Sequence, residues 1–153
     1  KMQQEIEDLK IKNLRIIPDE RGSIMHMMKK SDESFRNFGE VYFATAYPGV
    51  IKGWHLHTKQ TQNYCAIKGM IKLVIYDSRK DSKTFGNLSE LFIGEKNFCL
   101  VTIPPLVYNG WKCIGETEAI LANLTDYEHD PNEMKRLDPN SKEIPYVWDL
   151  KNK

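Results

Sequence analysis

Between residues 40 and 126 apolar and polar side chains alternate in short runs, each closed by turn-forming residues. "EVYFATAY" (40–47) stops at Pro48-Gly49, "VIKGWHLH" (50–57) follows, then "NYCAIKG" (63–69) and "MIKLVIYDSR" (70–79). After the polar stretch "DSRKDSKTFGN" come "ELFIG" (90–94), "FCLVTIP" (98–104), "VYNGWKCIG" (107–115) and "TEAILANLTD" (117–126). In residues 70–76 a period of two sets Ile71, Leu73 and Ile75 against Met70, Lys72, Val74 and Tyr76, which predicts a strand with an inner and an outer face. Many short strands at regular spacing predict an all-β sandwich or barrel of the jelly-roll type. Helix is expected only over 130–136, where Asp130 can cap and Pro131 can open a short turn.

Length and composition narrow this reading. At 153 residues the chain suits one domain, 1–153, with a core that needs no metal or disulfide to stabilise it. Its 22 basic and 21 acidic residues form no stripe for a phosphate backbone, so nucleic acid is not expected as a partner. Cys65, Cys99 and Cys113 are odd in number and never spaced CxxC, which fits small buried hydrophobes in a reducing compartment. No run approaches the ~20 apolar residues of a membrane span, and "KMQQEIEDLK" is too charged for a signal peptide. A cytoplasmic protein without a membrane partner is expected.

The chemistry concentrates in "GWHLHTKQTQ" (53–62). Residues two apart on a strand point to one side, so His55 and His57 project together, as a metal site or a proton relay requires. Gly49, His55, His57, Gln62 and Gly69 are spaced as in the first motif of the cupins, which the sequence resembles. The metal-binding cupins have Glu where Gln62 stands and a later His where "IPPLVYNGW" (103–111) has Asn109. Two imidazoles and two neutral amides make a poor divalent-cation site, so no metal and no cofactor are expected.

"PDERGSIMHMMKK" (18–30), "GVIKGWHLH", "KGMIKLVIYDSRKDSKTFG", "IPPLVYNGW" and "RLDPNSKEIPYVW" (136–148) stand in the order and spacing of the dTDP-4-dehydrorhamnose 3,5-epimerases, which the chain resembles over nearly its whole length. That resemblance implies a cupin jelly roll, a homodimer formed by strand exchange, and a metal-free isomerase acting on a nucleotide-linked 4-keto-6-deoxy sugar in deoxysugar and cell-surface polysaccharide biosynthesis. It implies His55 as the general base, with His57 its partner or a second proton carrier. Lys52 and Arg21 match the family's diphosphate contacts, and Arg79 a further family arginine that reads equally well as structural. Gln62 stands where the family has an active-site lysine and Ala122 where it has its proton-donating tyrosine; Tyr127 matches a second active-site tyrosine. The aspartate that orients the family's base falls in a segment expected to be missing here.

Trp54, Tyr64, Tyr108, Trp111 and Tyr127 are candidates to pack on sugar or base, with Tyr64, Gln62 and Asn109 added to the substrate-binding set. Three other readings remain open, one of them a metal-dependent cupin oxygenase or isomerase. "HLHTKQTQ" also resembles the dTDP-sugar 3,4-ketoisomerases, in which a histidine pair shuttles protons, and the loss of the lysine and tyrosine fits a non-catalytic sugar-nucleotide binding cupin.

Overall fold

A computed structural model describes residues 4–152. Twelve strands and one 3-10 turn are assigned among them. β1 (Lys10–Asn13), β2 (Ile16–Asp19) and β3 (Gly22–Met25) precede β4 (Glu40–Ala46), β5 (Ile51–His57), β6 (Gln62–Lys68) and β7 (Met70–Tyr76). β8 (Leu88–Gly94), β9 (Cys99–Ile103), β10 (Tyr108–Cys113) and β11 (Ala119–Thr125) follow, then the turn Pro131–Glu133 and β12 (Met134–Arg136). Two antiparallel five-stranded sheets, ordered β1-β9-β6-β11-β4 and β12-β5-β10-β7-β8, face each other as a jelly-roll sandwich, and β2 and β3 pair as a separate hairpin.

The alternation in 70–76 becomes the centre of the sandwich. Ile71, Leu73 and Ile75 are fully buried and meet Tyr64, Val101 and Leu121 of the opposite sheet. The other face of β7 is also covered, which the period of two does not reveal. Val74 and Tyr76 join Trp54, Leu88, Ile144, Tyr146 and Trp148, so the C-terminal segment lies over the second sheet. Lys72 is buried there and donates to the Trp148 carbonyl at 3.1 Å. Trp54, a candidate sugar contact in the sequence, faces this layer instead, with its ring 5.0 Å from Trp148 and its N–H donating to the Pro139 carbonyl.

β6 and β7 belong to different sheets with only Gly69 between them. Its φ of +74° and the approach of Ala119 and Glu118, 3.1 Å from where a Cβ would sit, explain why glycine occupies this corner. The expected helical turn is a single 3-10 turn. Asp130 caps it by accepting from the Asn132 N–H, Pro131 opens it, and the chain then pairs with β5 as β12.

The polar stretch after β7 is held by Asp77. Its buried carboxylate accepts from the Arg79 side chain and backbone, from Ser82 Oγ at 2.7 Å and from Thr84 Oγ1 at 2.6 Å. Arg79 in turn donates to the Glu7 carbonyl, tying the N-terminal segment to this loop. Arg79 is therefore a structural arginine. Burial pushes the Asp77 pKa up, but these donors outweigh it and bring it to about 2. Because the folded value lies below the ordinary 3.8, the stabilisation is complete above pH 3.8 and fades as pH falls through about 2. Asp77→Asn is expected to cost about 2 kcal/mol or more at neutral pH and to flatten the acid decline, as read by urea unfolding across pH; an unchanged decline would contradict the assignment.

Candidate active site

A cavity of about 290 Å³ opens between the two sheets at the side bounded by edge strands β4 and β12. Lys52, His55 and His57 of β5 and Trp111 of β10 line it from one sheet. Tyr42 and Ala44 of β4, Gln62 and Tyr64 of β6 and Leu121 of β11 line it from the other. Glu40, Gln60, His129, Met134 and Arg136 complete the wall.

A strict period of two would put Lys52 and His55 on opposite faces. The register with β10 shows why they share one: Asn109 lies opposite His55 and Trp111 opposite Lys52, so Gly53 and Trp54 together face Gly110. This extra residue is a β-bulge that re-aims Lys52 into the cavity. Gly53 and Gly110 make it possible, since a Cβ on Gly53 would come within 2.8 Å of the Gly110 Cα. The lysine Nζ then lies 5.9 Å above the Trp111 ring.

The two imidazoles differ in their partners. His57 Nδ1 hydrogen-bonds Glu133 Oε1, while Glu133 Oε2 accepts from the Lys59 and Gln60 backbone N–H groups at 2.9 and 3.2 Å. Burial raises the Glu133 pKa, but the His57 and backbone donors outweigh it and hold the carboxyl below its usual value. An ionised carboxylate requires His57 Nδ1 to be the donor, so in the neutral ring Nε2 is the nitrogen that can accept a proton. His55 Nε2 faces Arg136 at 3.4 Å, and a guanidinium can only donate, so this nitrogen is an acceptor already occupied. Burial first, then Arg136, His57 and Lys52, bring the His55 pKa down to about 4, so it is neutral at pH 7.

The remaining residues expected from sequence separate into three groups. Gln62, Tyr64 and Asn109 are buried and closed upon one another: Tyr64 donates to Asn109 Oδ1 at 2.9 Å and Asn109 Nδ2 donates to Gln62 Oε1 at 3.0 Å. Gln62 and Tyr64 reach the cavity, while Asn109 stands behind them. Tyr127 is half exposed and contributes backbone only, its carbonyl accepting from Gln60 Nε2 and Thr125 Oγ1. Arg21 sits at the turn of the β2–β3 hairpin, paired with Asp19 and outside the cavity of its own chain.

Ala122, at the family's tyrosine position, is opposite Cys65 and Phe43 in register and alternates with the inward Leu121. Glu133, Arg136 and Tyr42 were not found by reasoning from sequence. Among the described residues no group of three or more His, Cys, Asp or Glu side chains is placed to hold a metal ion, and no helix is long and apolar enough to cross a membrane.

Comparison with known proteins places the chain in a family. The family described as dTDP-4-dehydrorhamnose 3,5-epimerase matches residues 3–153. The chain belongs to that family. It is similar to the spore coat polysaccharide biosynthesis protein SpsL of Bacillus subtilis (strain 168), 33% identical over 94% of this chain and 91% of that protein. It is 35% identical to the probable low-salt glycan biosynthesis epimerase Agl13 of Haloferax volcanii, over 92% and 88% of the two chains. The crystal structure of a dTDP sugar isomerase from Desulfovibrio desulfuricans G20 superimposes with a TM-score of 0.92 at 36% identity, covering 94% of this chain and 92% of that one. The all-β fold, the isomerase class and the epimerase reading of the sequence stand with this membership.

Proposed function

We propose that the chain epimerises a nucleotide-linked 4-keto-6-deoxy sugar by removing and returning a proton at a carbon next to the ketone. The observation that carries this reading is the pairing of His57 with Glu133 in a cavity lined by cationic side chains. The ketone makes the neighbouring C–H acidic. His57 Nε2 takes that proton, and the charge it gains lies beside the Glu133 carboxylate. The resemblance assigned the base to His55; the Arg136 contact occupies that ring's Nε2 and supports His57 instead. Neutral His55 is left to hydrogen-bond the enolate oxygen through its other nitrogen. Lys52 and Arg136 carry positive charge at the same cavity and suit the diphosphate.

The same-face histidine pair favours one further reading, a 3,4-ketoisomerase in which each imidazole carries a proton. Product identity separates the two.

The protein is further proposed to act as a homodimer, in a reducing compartment such as the cytoplasm given three free, buried cysteines. Edge strand β4 exposes Val41 and Phe43, and the β2–β3 hairpin exposes Ile24 beside Arg21. A second copy accepting this hairpin would cover those side chains and bring Arg21 to the partner's cavity.

In deuterated water with dTDP-4-keto-6-deoxyglucose, the wild type is expected to exchange a hydrogen next to the ketone. His57→Asn should slow this ~10²–10⁴-fold, and Lys52→Ala should weaken dTDP binding about tenfold or more. Chelator should change neither rate nor melting temperature; equal exchange in wild type and His57→Asn would contradict the assigned base. Analytical ultracentrifugation is expected to give a dimer that Phe43→Asp weakens, and a wild-type monomer at micromolar concentration would contradict the assembly.

A further inference from the structure

Epimerisation needs a proton on the face of the sugar opposite the base, and Ala122 cannot supply it. We propose that Tyr42 is the proton donor, delivering its phenolic hydrogen from the sheet that faces His57. This assignment rests on the epimerase reading and names the residue that completes it.

Two tyrosines line the cavity from the sheet opposite β5, and their hydrogen bonds distinguish them. The hydroxyl hydrogen of Tyr64 is committed to Asn109 Oδ1 inside the buried ring of side chains. Tyr42 stands the other way round. The Asn63 backbone N–H, which can only donate, bonds Asn123 Oδ1 at 3.1 Å and so fixes the orientation of that amide. Asn123 Nδ2 therefore points at Tyr42 Oη, donating to it at 2.9 Å. The phenol oxygen is an acceptor in this contact, and its own hydrogen remains available to the cavity.

Asn123 is completely buried, so this orientation is held by the sheet rather than by solvent. Tyr42, Asn123 and Tyr64 lie side by side in register across β4, β11 and β6, all on the inward face. Burial raises the Tyr42 pKa, Asn123 opposes this and Glu40 adds to it, which keeps the phenol protonated at neutral pH. A protonated phenol whose oxygen already accepts one hydrogen bond is ready to donate, and the bond from Asn123 strengthens on the phenolate that donation leaves.

The step balances without a co-reactant. The C–H bond breaks toward His57 Nε2 and its electron pair moves into the enolate. A new C–H bond then forms on the opposite face as the Tyr42 O–H bond breaks. Solvent reprotonates the phenolate and takes the proton from the imidazolium.

The test uses Tyr42→Phe with dTDP-4-keto-6-deoxyglucose in deuterated water, following deuterium incorporation and epimer formation separately by NMR. With dTDP affinity and melting temperature kept, the variant should still exchange the α-hydrogen within about tenfold of wild type, because His57 can return a deuteron to the face it came from. Epimer formation should fall ~10²–10⁴-fold. Epimerisation within threefold of wild type would overturn the assignment, as would parallel loss of exchange and epimerisation in the folded variant, which would place Tyr42 in enolisation or binding. Absence of exchange in the wild type would overturn the epimerase reading itself, and the donor role with it.

Discussion

One buried carboxylate organises the cavity side of this sandwich. Glu133 binds the His57 ring with one oxygen and two backbone N–H groups of the 57–60 turn with the other, while its carbonyl accepts from Thr58 N and Oγ1. These bonds fix the end of β5 to the 3-10 turn, and β12 then pairs along β5 from Met134 opposite His57 to Arg136 opposite His55. The same residue thus sets the tautomer of one histidine and leads the chain to the arginine that occupies the other. A buried acid left without these partners would be costly, so satisfying Glu133 and shaping the site are one requirement.

The rest of the chemistry follows from the site lying between two sheets. A sandwich whose edge strands β4 and β12 stand apart presents side chains to a ligand from both faces. In the proposed reaction the base comes from one sheet and the proton donor from the other, the arrangement that inversion at carbon requires. Packing deeper in the sandwich makes these positions rigid: Ile71, Leu73 and Ile75 fill the centre, and the Trp54, Tyr146 and Trp148 cluster closes the far side of the second sheet. The bulge at Gly53 and Trp54 serves both layers, turning Trp54 out to that cluster and Lys52 in to the cavity.

Much of the fold was legible because alternation survives wherever a strand has two different environments. All eight strands from β4 to β11 fall within runs that the pattern marks, to within two residues. β1, β2 and β3 were not read, being four residues long and largely exposed, so no face is selected for apolar residues. β12 was read as helix because Asp130-Pro131 is a true turn opening, and the pairing of Met134 to Arg136 with β5 is a tertiary contact that local sequence does not carry.

The site divides in the same way. His55, His57, Lys52, Gln62 and Tyr64 were found because they lie on or beside one motif strand, and the structure brings all five to one cavity. Glu133 and Tyr42 escaped because they lie 76 residues after His57 and on an edge strand of the other sheet. An apolar-polar pattern ranks Tyr42 as one more strand aromatic; only the orientation of Asn123 marks it out.

The most direct test of the Glu133 and His57 pairing is long-range proton–nitrogen NMR of the histidine side chains at pH 7. In its neutral form His57 should carry its hydrogen on Nδ1, with an Nε2 shift typical of an unprotonated imidazole nitrogen and no averaging between tautomers. A neutral His57 ring that carries its hydrogen on Nε2 instead of Nδ1, or that averages freely between its two tautomers, would contradict the pairing and the base assigned from it.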